Sequence, residues 1–365
     1  MKIVMFGLKG IPFTAGVEVM VEELGSRLVK RGHDVTVLVR PHYTPRSLTE
    51  YRGMHLVHLP SIPTKNFDAI SHSFLSVFKS VSLNPDVVHI HSTGNSIFSF
   101  FPRWFGIPTV VTSHGLDWQR AKWGKLARWY LKMTDFTTCI FPTATVVVSR
   151  RLQTYYHEHY GRSATYIPNG ASQVNRIPPD EIKKYGLAGN DYILFASRLV
   201  PEKGCHYLLE AFQKLDTPLK LVIAGDDNTD REYIKLLKKL APPNVIFTGF
   251  IKGKLLEELL SNAYLYVLPS EIEGLSVGLI EAMNYQNCVL VSDISENMEV
   301  IGNAGMTFKN KSVADLMEKM TYIVNNPKYV EEQRHASYQS IQSRYNWEEV
   351  ADQYEQLYTS IQRSH

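Results

Sequence analysis

Two acids and two cations stand out as side chains able to do chemistry. Glu273 and Glu281 lie eight positions apart in "EIEGLSVGLIEAM" (271–283), just after the apolar run "LYVLPS". The helical pattern from about Val277 puts Glu281 one turn in, and helical side chains lean toward the amino terminus, so its carboxylate reaches a ligand at the helix mouth. Glu273 lies in the preceding loop. Carboxylates accept hydrogen bonds from vicinal hydroxyls, as on a sugar or a ribose, while the N–H groups of Gly274, Leu275 and Ser276 can face phosphate or hydroxyl oxygens. Together they suit a nucleotide sugar. Capping explains one acid in a first turn but not both glutamates and the glycines. In "SRLVPEKGCHYLL", Arg198 and Lys203 precede a helix whose start is marked by Gly204. Cations at an already positive helix end oppose the dipole, so an anion belongs between them, and a guanidinium fork with an ammonium suits a diphosphate. Two solvated surface charges remain the plain alternative for this loop.

Two further loops matter less. In "GLKGIPFTAGVEV" the glycines at 7, 10 and 16 lack dinucleotide-fingerprint spacing, and the second strand ends in Arg40 where a ribose-binding acid is expected, which argues against nicotinamide chemistry. Gly16, at the helix start, permits close approach of an anion; a tight strand-to-helix turn explains it equally well. His114, in "TSHGLDW", follows a strand and is expected to point into the same site, although a lone histidine is more often structural.

The elements that must position these residues follow from periodicity. "KIVMF", a helical run with Val17, Met20, Val21, Leu24 and Leu28, and "VTVLV" form a βαβ unit, and strands at "DVVHIH", "TVVTS", "TVVVS" and "ATYI" continue it. After a Pro-, Gly- and Asn-rich stretch the pattern restarts at "YILFAS" and continues through "KLVIAG", "VIFTG", "LYVLPS" and "CVLVS". The expected fold is α/β, with two doubly wound parallel-sheet domains facing across a cleft: residues 1–170 and residues 171–345. A terminal helix, 346–365, carries Trp347, Val350, Tyr354 and Leu357 on one stripe and is expected to dock on its own domain or back on the first.

With 365 residues, a net charge of +3 and interspersed signs, the chain shows no basic face for nucleic acid. Cys139, Cys205 and Cys288 have neither disulfide-framework nor zinc-site spacing. The first apolar run is too short for a signal segment, and no run reaches membrane-span length, so a cytoplasmic location is expected. "WQRAKWGKLARWYLK" (118–132) interleaves tryptophans with basic residues. It could lie on an anionic membrane at the inner face, or be an ordinary helix with a solvated basic side.

On these motifs the chain resembles the GT-B glycosyltransferases of the GT4 family over nearly its whole length. The shared elements are Glu273 and Glu281, Arg198 and Lys203, "IPNG" (167–170), and Trp347, Val350, Ala351 and Tyr354. The amino-terminal half is similar to a bacterial rhamnosyltransferase-like subgroup. The resemblance implies that Glu281 holds the ribose hydroxyls and Glu273 the donor sugar. It further implies that Arg198 and Lys203 hold the diphosphate, that Gly16 lets the first helix approach it, that His114 lies beside the transferred sugar, and that the base sits near Phe250 and Ile251. Paired glycines are common in the family's first loop; here only Ala15 and Gly16 remain. No DxD triplet occurs. The implied activity is retaining, metal-independent transfer of a hexose such as rhamnose from a nucleotide diphosphate sugar to a glycan or lipid-linked acceptor, with no cofactor. A nucleotide-sugar 2-epimerase and a non-catalytic sugar-nucleotide sensor are the rivals.

Overall fold

A computed structural model describes residues 1–13, 16–64, 67–119, 123–226 and 231–363. Ala15 and residues 120–122 of the basic segment lie outside the described residues. The chain divides into two compact units, residues 1–170 with 347–365, and residues 171–346.

The first unit contains β1 (Lys2–Phe6), α1 (Gly16–Lys30), β2 (Asp34–Val39), β3 (Glu50–Tyr51), β4 (Met54–His58), α2 (Asp68–Ser82) and β5 (Val87–His91). There follow α3 (Phe100–Trp104), β6 (Thr109–Ser113), α4 (Lys125–Ile140), β7 (Ala144–Val147), α5 (Arg150–Tyr160) and β8 (Thr165–Tyr166). Strand order is β3-β4-β2-β1-β5-β6-β7-β8, parallel except for the β3–β4 hairpin. The order reverses between β1 and β5. Right-handed crossovers therefore put α1 on one face of the sheet and α2, α3 and α4 on the other.

Alternate residues of β1 show both faces covered: Ile3 and Met5 pack with α1, Val4 and Phe6 in the cluster that includes Val77 of α2. Such two-sided burial is why the strand reads as an unbroken apolar run.

The second unit contains β9 (Tyr192–Ala196), α6 (Cys205–Phe212), β10 (Lys220–Ala224), α7 (Arg231–Leu240), β11 (Val245–Gly249), α8 (Lys254–Asn262) and β12 (Leu265–Leu268). It continues with α9 (Val277–Asn284), β13 (Val289–Ser292), α10 (Ser295–Ile301), β14 (Met306–Phe308), α11 (Val313–Asn325) and α12 (Pro327–Gln342). Its sheet, β11-β10-β9-β12-β13-β14, is entirely parallel and reverses direction between β9 and β12. Both sheets are thus doubly wound, and the fold is α/β of the two-domain Rossmann-like kind.

The terminal helix α13 (Trp347–Arg363) joins the first unit, burying Trp347, Val350, Tyr354, Tyr358 and Ile361 in the α1 core. Each large side chain removed from water contributes about 1.5–3 kcal/mol, so this stripe outweighs the half-exposed ion pairs of Arg27 and Arg31 with Glu348 and Asp352. Its two buried tyrosines have polar partners. Tyr358 Oη meets His89 Nδ1 at 2.7 Å, and Tyr354 Oη meets Thr112 Oγ1 at 3.2 Å. Burial pushes the His89 imidazole down to about 3, so it works here as a neutral ring.

Trp118 does not face outward as Trp129 does. Its Nε1 donates to Asp135 Oδ2 at 2.6 Å, and Tyr156 Oη donates to Oδ1 of the same carboxyl at 3.3 Å. Burial raises this carboxyl to about 7, overriding those two hydrogen bonds. The folded chain therefore holds an extra proton between the ordinary carboxyl range, near 4, and neutrality, and stability is lost as pH rises through that window. Asp135→Asn keeps an acceptor for Trp118 and removes that share of the pH slope. Thermal melts between about pH 4 and 8 should show a flatter profile for the variant.

Candidate active site

The carboxyl ends of β9 and β12 flank the switch point of the second sheet, the place where open α/β sheets bind ligands. After β9 the chain runs through Arg198, which is exposed, to buried Leu199 and Val200. A short 3-10 turn, Pro201–Lys203, follows and is closed by Gly204 at φ 68°, ψ 18°. Proline suits the first position of the turn and glycine the left-handed one. Gly204 is also required sterically, since a Cβ there would collide with the carbonyl oxygen of Pro269 in the loop after β12. The two loops are tied by the Glu271 N–H donating to the Glu202 carbonyl at 2.8 Å.

The loop after β12 brings Glu273 to Lys203, with Oε1 at 2.5 Å from Nζ and both side chains largely buried. Glu271, the other acid of "EIEG", is held by Tyr207 Oη at 2.8 Å and Lys311 Nζ at 2.7 Å. Burial raises its carboxyl, but those partners outweigh it and keep it below the ordinary range. At the start of α9 the N–H groups of Gly274, Leu275 and Ser276 have no protein acceptor among the described residues, while Ser276 O receives the N–H groups of Leu279 and Ile280. Three consecutive open donors at a helix amino terminus form a site for an anion or hydroxyl oxygens.

Glu281 lies one turn into α9 and is exposed. The protein around its carboxyl nonetheless pushes it up to about 7, with the charge of Glu257 in α8 adding to the rise. The charged form is thus disfavoured in the free protein, and a ligand that needs the carboxylate must bring this value down. Tyr266 is fully buried and donates to Ala196 O at 3.1 Å, joining β12 to β9. Burial raises its phenol, and the nearby charges of Glu273 and Glu281 raise it further. Phe250 and Ile251 follow β11, two strands from β9's far side of the switch; Phe250 is 60% exposed.

Gly16 and His114 belong to the first unit. Gly16 is exposed and opens α1, whose first-turn Glu18 accepts the Lys9 N–H at 2.8 Å and so pins the loop after β1. Gly7, at φ 98°, packs that loop on the end of β5, where a Cβ would strike the His91 carbonyl. His114 follows β6, partly buried, with Nε2 3.4 Å from His91 Nδ1 and the rings stacked. Arg40 is buried, bonded to Asp68 Oδ2 at 2.5 Å and to the Leu8 carbonyl at 3.2 Å. It is a structural link between the loop after β1 and α2.

The sequence did not single out Glu18, His91, Glu257 or Tyr266. Tyr266 sits within an apolar strand, and Glu257 is one charge among several on an amphipathic helix, so neither breaks its local pattern. His89 and His91 alternate in "VVHIH", a period that would have placed both on one face of the sheet.

Comparison with known proteins supplies the family. The model for "Glycosyltransferase Family 4" matches residues 14–172, and that for "Glycosyl transferases group 1" matches residues 179–342. The gpi3 subunit of phosphatidylinositol N-acetylglucosaminyltransferase from Schizosaccharomyces pombe is 21% identical over 96% of this chain and 78% of its own. The putative teichuronic acid biosynthesis glycosyltransferase TuaC of Bacillus subtilis is 26% identical over 76% of this chain and 71% of its own. Sucrose-phosphate synthase from Thermosynechococcus elongatus superposes with a TM-score of 0.87 at 20% identity, covering 100% of both chains. Anabaena HepE, solved with UDP-glucose, gives 0.82 at 19% identity over 99% of this chain and 100% of its own. Two consecutive domain models that between them span nearly the whole sequence, on a fold shared with solved glycosyltransferases, make the chain a member of the GT4 glycosyltransferases of GT-B fold.

Proposed function

We propose that the chain transfers a sugar from a nucleotide diphosphate sugar to a glycan or lipid-linked acceptor, with retention of anomeric configuration and without a metal. What carries this reading is the set of groups at the β9–β12 switch point: Arg198 and Lys203 on one loop, Glu273 and three open N–H donors on the next, and Glu281 one turn beyond. Departure of the diphosphate leaves negative charge on the leaving group and positive charge on the ring. Preorganised cations and a helix amino terminus lower that barrier. In this scheme Arg198, Lys203 and the N–H groups of residues 274–276 receive the diphosphate, Glu281 accepts the ribose hydroxyls, and Glu273 the donor sugar. Phe250 and Ile251 lie by the base, and Gly16 and His114 serve from the first unit, at the phosphate and beside the sugar. Anabaena HepE was solved with UDP-glucose, which supports a uridine donor as the first to test. The relatives named for phosphatidylinositol and teichuronic acid support a cell-surface acceptor of lipid or polysaccharide type, and rhamnose stays among the candidate sugars.

The test is incubation with a panel of UDP-, GDP- and dTDP-sugars, with and without lipid-linked acceptors, read by mass spectrometry. Transfer that needs both substrates is expected. Conversion of the donor alone into an epimer, or binding without turnover, would replace this reading.

Glu281 gives a second check. A carboxylate accepting two hydroxyls is favoured in its charged form, so binding must lower a pKa that starts at about 7 in the free protein. Affinity for UDP-glucose, whose diphosphate does not titrate near neutrality, should rise as pH increases from about 5.5 to 8, with a proton released on binding. Calorimetric titration in buffers of different ionisation enthalpy measures both. Glu281→Gln should weaken binding and flatten the pH profile.

A further inference from the structure

The first unit carries a surface that donor chemistry does not use. Among the described residues, eleven of the fifteen exposed large apolar side chains fall between residues 62 and 136, on or beside α2, α3 and α4. Several join into one array. Phe74 meets Phe78 with ring centroids at 5.1 Å, Phe78 meets Phe101 at 4.7 Å, Phe101 meets Phe105 at 5.1 Å, and Phe100 meets Phe141, just past α4, at 5.7 Å. At its outer edge Trp104 is 80% exposed and Phe105 60%. On α4, Leu126 and Trp129 are 81% and 65% exposed. Right-handed crossovers put these three helices on a single face of the sheet.

The charge that these three helices expose has one sign. Arg103, Lys125, Arg128 and Lys132 are exposed, whereas the acids of the three helices, Asp68 and Asp135, are buried against Arg40 and against Trp118 and Tyr156. Outward aromatics set among cations, with every helical acid turned inward, match the boundary between acyl chains and anionic headgroups. A symmetric pairing of two copies through these helices would instead set their cations against one another with no exposed acid of the three helices to answer them.

We infer that the outer face of α2, α3 and α4 docks on an anionic lipid bilayer. This deepens the proposed function by placing the acceptor at a membrane, and it concerns a surface separate from the β9–β12 switch point. No described helix is long and apolar enough to cross a membrane.

The experiment is co-sedimentation of the full chain with phosphatidylcholine vesicles, plain or made anionic with phosphatidylglycerol, at low and high salt. UDP-glucose binding is measured on the same preparations. Partitioning onto the anionic vesicles, weakened by salt, is expected. Each cation near an anionic surface contributes about fivefold, so Lys125→Ala with Arg128→Ala should lower the partition constant roughly thirtyfold. Trp104→Ala with Phe105→Ala should lower it at least tenfold by removing inserted aromatic area. Both pairs should leave UDP-glucose binding unchanged. Equal partitioning of wild type and variants, or none onto anionic vesicles, would overturn the docking face. So would lipid-free self-association, seen by analytical ultracentrifugation and abolished by the same substitutions. Vesicle binding without sugar transfer would count against the proposed function and leave this surface standing.

Discussion

Arg198→Ala is expected to lower turnover about a hundredfold, as removal of one preorganised donor to a developing charge typically does. Arg198 is exposed, so truncating it removes little packing. Lys203→Ala should cut turnover to a similar degree but behave differently in the free protein. Its ammonium is the partner of Glu273 in a largely buried pair, and deleting it strands a carboxylate away from water. Lys203→Ala should therefore melt at lower temperature, and adding Glu273→Gln should restore part of that stability without restoring turnover. Thermal melts together with steady-state kinetics separate the two effects. Wild-type turnover in the Arg198/Lys203 double variant would remove both cations from the leaving-group role.

The Lys203–Glu273 pair also bears on how a donor is received. If Lys203 takes phosphate and Glu273 takes sugar hydroxyls, ligand must exchange one strong contact for two, and the net gain is smaller than the sum of the new ones. The free site is already ordered by its own charges, and this fits electrostatic preorganisation better than a cation left in solvent.

Much of this was legible in the sequence because parallel strands buried on both faces leave unbroken apolar runs such as "KIVMF" and "YILFAS", and the loops after them are where function concentrates. The restart of the pattern after "IPNG" similarly exposed a second sheet. Orientation within aromatic helices was less legible. Trp118 and Trp129 look alike in "WQRAKWGKLARWYLK", yet one turns inward to a buried Asp135 and the other is open to solvent. Only the tertiary partner decides between them. The aromatics of α2 and α3 were hidden for the same reason, since "FLSVF" and "FFPRW" do not by themselves show which rings a neighbouring element will cover. β3 and β14 escaped notice because strands of two or three residues hold too few side chains to establish a period.

Gly204→Ala is expected to disable the site by a different route. Its backbone is left-handed, where an L side chain costs roughly 1–2 kcal/mol. Gly161, at φ 61°, ψ 26° and with open space around it, shares that conformation and isolates the backbone cost. What Gly204 adds is the Pro269 carbonyl lying where a Cβ must go, a backbone atom that cannot swing aside as a flexible side chain would. Relief requires the loop after β9 to back away from the loop after β12, stretching the Glu202–Glu271 bond and moving Lys203 relative to Glu273. Overpacking of this kind adds about 1–3 kcal/mol. For a unit of this size the total corresponds to a melting temperature lower by roughly 4–20 °C, against roughly 2–8 °C for Gly161→Ala. Displacement by an ångström at a charge-stabilising site costs on the order of a hundredfold in rate. Folded Gly204→Ala, assayed below its melting transition, should thus lose turnover to nearly the same extent as Lys203→Ala while keeping every charged side chain, and Gly161→Ala should keep its rate. Full activity in Gly204→Ala would mean that the closeness of the two loops does not govern transfer.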